Sequence, residues 1–193
     1  MRKHGSWVCV VAVLGATRAV RADDKALAET MFQEGRKLLA TGKLAEACAR
    51  FEASYKAEPA MGTLLNLGEC HEKLGRTATA WAEFHEAMEM AHLRGDTREA
   101  AVQKRAAALE PRLNRVRINP PAADIPGMVV ARDGSDATAS LGVEMPVDPG
   151  EHRIEVSAPG YHPWTFKLTV KGDGAVATVD IPSLTPVAPP PAP

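Results

Sequence analysis

The residues best suited to chemistry fall in two stretches, 71–92 and 133–151. His85-Glu86 opens like the helical zinc-protease sequence, which needs a second histidine four residues after the first. That position is Glu89, so a catalytic zinc would lack a ligand. His85, Glu89 and His92 still share a helix face at i, i+4 and i+7, an arrangement for a weak surface metal at most. A solvated outer face accounts for them better, and no metal is expected. His71 sits on an apolar helical face, where a hydrogen-bonded core histidine is the commoner role. Asp133, Asp136, Asp148 and Glu151 offer oxygen ligands for Ca²⁺, but they cluster at β-turn signals and turn formation explains them as well. Gly172-Asp173-Gly174 is a hairpin turn and not a phosphate cradle. With no nucleophile elbow, phosphate loop or dinucleotide fingerprint, no convergent acid, base and nucleophile can be assembled. The expectation is a protein without catalytic residues and without a cofactor.

The elements that position these residues begin with an internal repeat over 28–92. Shifting the sequence by 33 residues aligns Gly35 with Gly68, Gly42 with Gly75, Ala47 with Ala80 and Phe51 with Phe84. Each copy reads as two helices joined at a glycine, a unit that buries its apolar face only by stacking on its neighbours. The first helix is expected from about residue 26, capped by Asp23 and Asp24, and ended by Gly42. The second runs from Lys43 until Pro59 stops it, the third over 62–74, and the fourth from Thr77 to about Leu93. Cys48 then falls on the second helix and Cys70 on the third, which are neighbours. Two readings stay open for them, a disulfide in an oxidising compartment or two small buried core residues.

This pattern resembles the tetratricopeptide repeat. Gly35, Gly42, Ala47, Phe51 and Pro59 stand at consensus positions, and so do Gly68, Gly75, Ala80, Phe84 and Ala87. Glu34 replaces an apolar residue, His92 stands where proline is usual, and the period is one short of the ~34 residues typical of the family. The resemblance implies a concave binding face formed by the first helix of each repeat. By spacing, Phe32, Gln33, Arg36 and Leu39 line it in the first copy, and Leu65, Asn66, Glu69 and Lys73 in the second. Asn66 matches a residue that clamps C-terminal carboxylates in some members, but Phe32 and Arg36 occupy the positions of its usual partners, so a full clamp is not implied.

A fifth helix is expected over 97–113. Asp96 and Glu99 have the form of a capping box, Val102, Ala106, Leu109 and Leu113 follow at helical spacing, and Pro111 should bend or end it. Beyond Leu113 the apolar period changes to 2. Val116 and Ile118, then Ile154 and Val156, then Trp164, Phe166, Leu168 and Val170, then Val179 and Ile181 alternate with polar neighbours, with turn signals between them. This predicts a small antiparallel β-sandwich. Pro149-Gly150 feeding a strand that ends at Gly160-Tyr161, with Arg132-Asp133-Gly134 upstream, is similar to the PEGA domain over about 128–181. That resemblance implies an envelope-associated or extracytoplasmic β-module. Tyr161 and Trp164 are its candidate glycan contacts, because aromatic faces stack on sugars. Residues 183–193 are Pro-rich and uncharged and should form an extended, solvated tail.

The start of the chain reads as a signal peptide: Arg2, Lys3 and His4, an apolar run over 7–16, and Val20-Arg21-Ala22 before a cut. Its apolar run is half the ~20 residues of a spanning helix, so no transmembrane anchor is expected in the mature chain. Removing 1–22 takes four basic residues and no acidic one from 23 basic and 24 acidic, leaving a net charge of −5. That balance disfavours nucleic acid. The expected organisation is thus α+β: signal peptide 1–22, helical repeat domain of about five helices 23–114, β-sandwich 115–182 and tail 183–193. The expected role is an exported, periplasmic or cell-surface scaffold for a protein or peptide partner of the envelope. The rival is a cell-wall or carbohydrate-binding module.

Overall fold

A computed structural model of the protein describes residues 16–188. The fold is α+β: five helices, then seven strands in two sheets. The described residues divide into two compact units, one up to Thr63 and one from Leu64.

The first unit holds α1 (Ala16–Ala40), α2 (Leu44–Ala57) and the start of α3 (Met61–Lys73). α1 begins earlier than expected, so Asp23 and Asp24 lie inside it and are not its caps. The charged start and nearly all of the apolar run that suggest a leader lie outside the described residues. Gly42, with φ +75°, ends α1, and the Lys43 N–H returns to the Leu38 carbonyl at 3.0 Å, satisfying a carbonyl that the helix leaves open. The core between α1 and α2 is Ala28, Ala47, Cys48 and Phe51. Gly35 is required here: a Cβ at its position would stand 2.7 Å from the Phe51 ring. Cys48 is disulfide-bonded.

The second unit continues α3 and adds α4 (Thr77–Arg94) and α5 (Glu99–Leu109). The repeat reappears as structure: Gly75 ends α3 at φ +76°, and Gly68 lies as close to Phe84 as Gly35 does to Phe51. Cys70, on α3, is also disulfide-bonded, so neither cysteine is the free core thiol of the alternative reading. Val102, Ala106 and Leu109 are buried on α5, as their helical spacing demands; Leu113, expected on the same helix, is buried in extended backbone beyond its end. Arg105 lies over the Phe84 ring, its guanidinium 4.9 Å from the ring centre. The capping box does not form. Asp96 Oδ1 accepts from the Arg98 N–H at 2.9 Å, and Glu99 bonds His92 instead of reaching back. Pro111 sits in a 3₁₀ turn, 110–112, that closes α5.

The strands are β1 (Asn114–Asn119), β2 (Val129–Arg132), β3 (Ser135–Asp136), β4 (Glu144–Val147), β5 (Gly150–Ser157), β6 (Trp164–Val170) and β7 (Val176–Asp180). One sheet has the order β4-β1-β7 and the other β3-β2-β5-β6. All pairs are antiparallel except β1 with β7, which is parallel. Val116, Val147 and Val179 from the first sheet and Val130, Ile154, Val156 and Val170 from the second share one core, which makes this a sandwich. Asp133-Gly134, both at positive φ, form the two-residue β2–β3 turn. Asn114, fully buried, clamps the β6–β7 turn: its amide donates to the Gly172 carbonyl, and its oxygen accepts from the Ala175 N–H.

One expectation fails at the C-terminal end. Leu184 is buried in the sandwich core, and the Val187 N–H donates to the Gly160 carbonyl at 2.8 Å. Residues 184–187 are therefore stitched to the β-unit and are not a solvated tail, because an apolar Leu gains more from burial than from extension into water.

Candidate functional site

In the first unit, Phe32, Gln33, Arg36 and Leu39 fall on one stripe of α1. Gln33 and Arg36 are exposed and Phe32 and Leu39 half-buried. Phe32 leans on Phe51, ring centres 5.6 Å apart and planes tilted by 55°. It also walls an open cavity of about 220 Å³, with Lys25, Glu29, Ser54 and Glu58 on the rim. Gln33 is steadied by Glu29, its amide donating at 2.8 Å.

In the second unit, Leu65, Asn66, Glu69 and Lys73 form the matching stripe on α3. The first three are half-buried and Lys73 is exposed. Lys73 pairs with Glu69 at 2.7 Å, the i, i+4 arrangement a helix face allows. Behind this stripe α3 carries a buried polar chain. His71, 1% exposed, faces the Glu83 carboxylate with Nδ1 at 2.9 Å and an Arg76 N–H with Nε2 at 3.2 Å. Arg can only donate, so Nε2 accepts and the ring proton sits on Nδ1. Arg76 in turn reaches Asp148 Oδ2 at 3.3 Å.

Asp148 caps α4 from the turn between β4 and β5. Its Oδ1 accepts from the Thr79 N–H at 3.0 Å and its Oδ2 from the Thr79 hydroxyl at 2.5 Å. The N-cap residue of α4, Arg76, provides no side-chain cap of its own. The carbonyl of Asp148 accepts from His152 Nε2 at 2.8 Å, and His152 Nδ1 bonds Asp133 Oδ2 at 2.7 Å. Both ring nitrogens of His152 thus face an acceptor. Burial pushes the Asp133 carboxyl up. The hydrogen bonds from His152 and the Arg153 N–H, with the charges of His152 and Arg132, outweigh it and set it below the ordinary value.

These contacts account for the acidic residues weighed for Ca²⁺. Asp133 and Asp148 are occupied as described, Asp136 accepts from the Thr138 N–H, and Glu151 pairs with Lys167 at 2.8 Å. Among the described residues no three His, Cys, Asp or Glu side chains converge to hold a metal. His85 departs from the solvated face expected for it: it packs on Trp81 at 4.1 Å, and its Nε2 is enclosed without a partner, as is Trp81 Nε1.

On the β-unit, Tyr161 and Trp164 both pack partly against the core. Tyr161 is held in place by its bridge to Pro186. Trp164 stacks on Phe166, centres 5.7 Å apart and planes 7° from parallel, and Phe166 is 41% exposed. Sequence reading missed Phe166 because its strand parity assigns it to the core. β6 is an edge strand, and that leaves the residue uncovered. No helix among the described residues is long and apolar enough to cross a membrane. No protein-family model matches the chain, and no curated protein matches it significantly.

Proposed function

We propose that the chain is a non-enzymatic, extracytoplasmic scaffold that captures a protein or peptide partner of the cell envelope through the outward stripes of α1 and α3. The observation that carries this reading is the repeated hairpin. In each copy a glycine packs on a buried phenylalanine and so sets the helix close to its partner, while a mixed apolar and charged row runs beside that contact on the same helix. Rigid elements position contacts better than loops do, and a row mixing half-buried leucines with Arg36, Asn66 and Glu69 offers both anchors and specificity. The tetratricopeptide-like and PEGA-like sequence patterns and the leader-like start support the compartment. Joint charge reversal, Arg36→Glu with Glu69→Lys, is expected to lower capture of a crosslinked envelope partner about tenfold with the thermal midpoint unmoved. Undiminished capture by a folded double variant removes the assignment.

A second reading is favoured by one observation, the parallel stack of Trp164 on Phe166 with its exposed face. Such a platform suits the apolar face of a sugar. Sedimentation with purified peptidoglycan decides it: loss of binding in Trp164→Ala supports a wall-binding module, and equal binding by both proteins excludes this platform.

A further inference from the structure

Arg132 is placed where a sandwich normally puts an apolar residue. On β2 it shares parity with Val130, and its cross-strand partner is Ile154; both of these are fully buried core residues. Its side chain is only 24% exposed, yet its one ionic contact among the described residues is Asp133 Oδ2, at 4.0 Å. A guanidinium brings five donors, and partial burial without hydrogen bonds is costly.

Its charged neighbours give it no hydrogen bond: Asp133 attracts it only at 4.0 Å, and both nearby carboxylates are hydrogen-bonded elsewhere. Asp148 serves Thr79 and Arg76, and Asp133 serves His152 and the Arg153 N–H. Arg132 instead lines a cleft of about 400 Å³ between α4 and the end of the sandwich, walled by Ala78, Trp81, Ala82, Met145 and Pro146. That volume lies within the ~300–1,000 Å³ of small-molecule sites, and apolar walls with a few polar groups are their usual make-up. Arg132 also borders a second cavity, of about 280 Å³, which shares Met145.

We infer that this cleft binds a ligand bearing one carboxylate on a small apolar body, with Arg132 as the anion anchor and Trp81, Met145 and Pro146 as the walls. A guanidinium takes a carboxylate through two parallel N–H donors. One guanidinium without a hydrogen bond, beside two carboxylates, suits a monoanion, whereas a phosphate dianion would meet Asp133 and Asp148 with its second charge. The site is separate from the α1 and α3 stripes, so its test does not bear on the scaffold reading.

The probe is N-acetyl-L-leucine, titrated into the ¹⁵N-labelled chain while the Arg132 Nε–H and Trp81 Nε1–H resonances are followed. The expected result is a saturable shift of both at about millimolar affinity, as befits so small a ligand, and no shift with N-acetyl-L-leucinamide. Arg132→Gln should weaken binding at least about tenfold, as loss of a charge-assisted pair demands. Ala82→Phe, at an exposed helix position that needs no refolding of the core, should block the body of the probe with Arg132 intact. An equal shift with the amide, an equal shift with inorganic phosphate, no saturable shift, or retained binding in Ala82→Phe overturns the proposal.

Discussion

Asp133 is 43% exposed at a hairpin tip, yet both its oxygens are engaged, one by His152 and one by the Arg153 N–H. Its carboxyl lies below the ordinary value, so the folded state binds its proton less readily than the unfolded chain. The stabilisation is therefore complete above the ordinary carboxylate range, ~3.9, and is lost as pH falls through the lowered value. Asp133→Asn keeps a residue that tolerates positive φ, which the turn needs at +52°. It should cost at most about 1 kcal/mol near pH 7, because solvent screens so exposed a pair. The difference from the parent should close as pH drops below the lowered value, as urea midpoints over a pH series would measure. Asp96 is likewise held low, at about 2, by the Arg98 side chain and then by its backbone N–H.

At the scale of elements, the helix pairs show which of two opposed effects decides a glycine. In an exposed helix interior, Gly→Ala gains roughly 1 kcal/mol of helix propensity. At Gly68 the new Cβ would stand 2.6 Å from Cε1 of Phe84, a ring 1% exposed that also has Arg105 over its face. Overpacking a filled core costs about 1–3 kcal/mol, so Gly68→Ala should destabilise on balance. A lower thermal midpoint by calorimetry is the expected outcome, and a rise would mean that Phe84 can yield. The 33-residue repeat made these helices legible: α2, α3 and α4 begin and end within a residue or two of their glycine and proline signals. β4 was not legible. Its Pro146 argues against a strand, but β4 is an edge strand paired only with β1, and there a missing N–H costs nothing. The start of α1 was misplaced because Asp23 and Asp24 can cap a helix only if the chain before them is not already helical.

Across the molecule, the order of helices and strands followed from periodicity, since apolar spacing fixes which face is buried. The partners of polar side chains did not follow. Nothing near Thr77 announces that its helix is capped by Asp148, because a cap normally comes from the adjoining residue. Arg132 was passed over for a related reason: its parity with Val130 is visible in the sequence, but the lack of a hydrogen-bond partner is a fact of three dimensions. Asp148→Ala should cost about 1–2 kcal/mol, the upper range for a cap, since it also leaves Arg76 without its carboxylate. Chemical denaturation followed by Trp81 and Trp164 fluorescence measures it, and a change within error would show that water replaces the cap.

The same bond carries a consequence for the time course of folding. Thr79 and Asp148 are 69 residues apart, so α4 emerges during synthesis and lacks its cap until the β4–β5 turn has formed. Helical hairpins form quickly from local contacts, whereas sheets wait on distant ones. The first turn of α4 is therefore expected to gain its amide protection only once the β4–β5 turn is in place, as pulsed hydrogen exchange during refolding would measure.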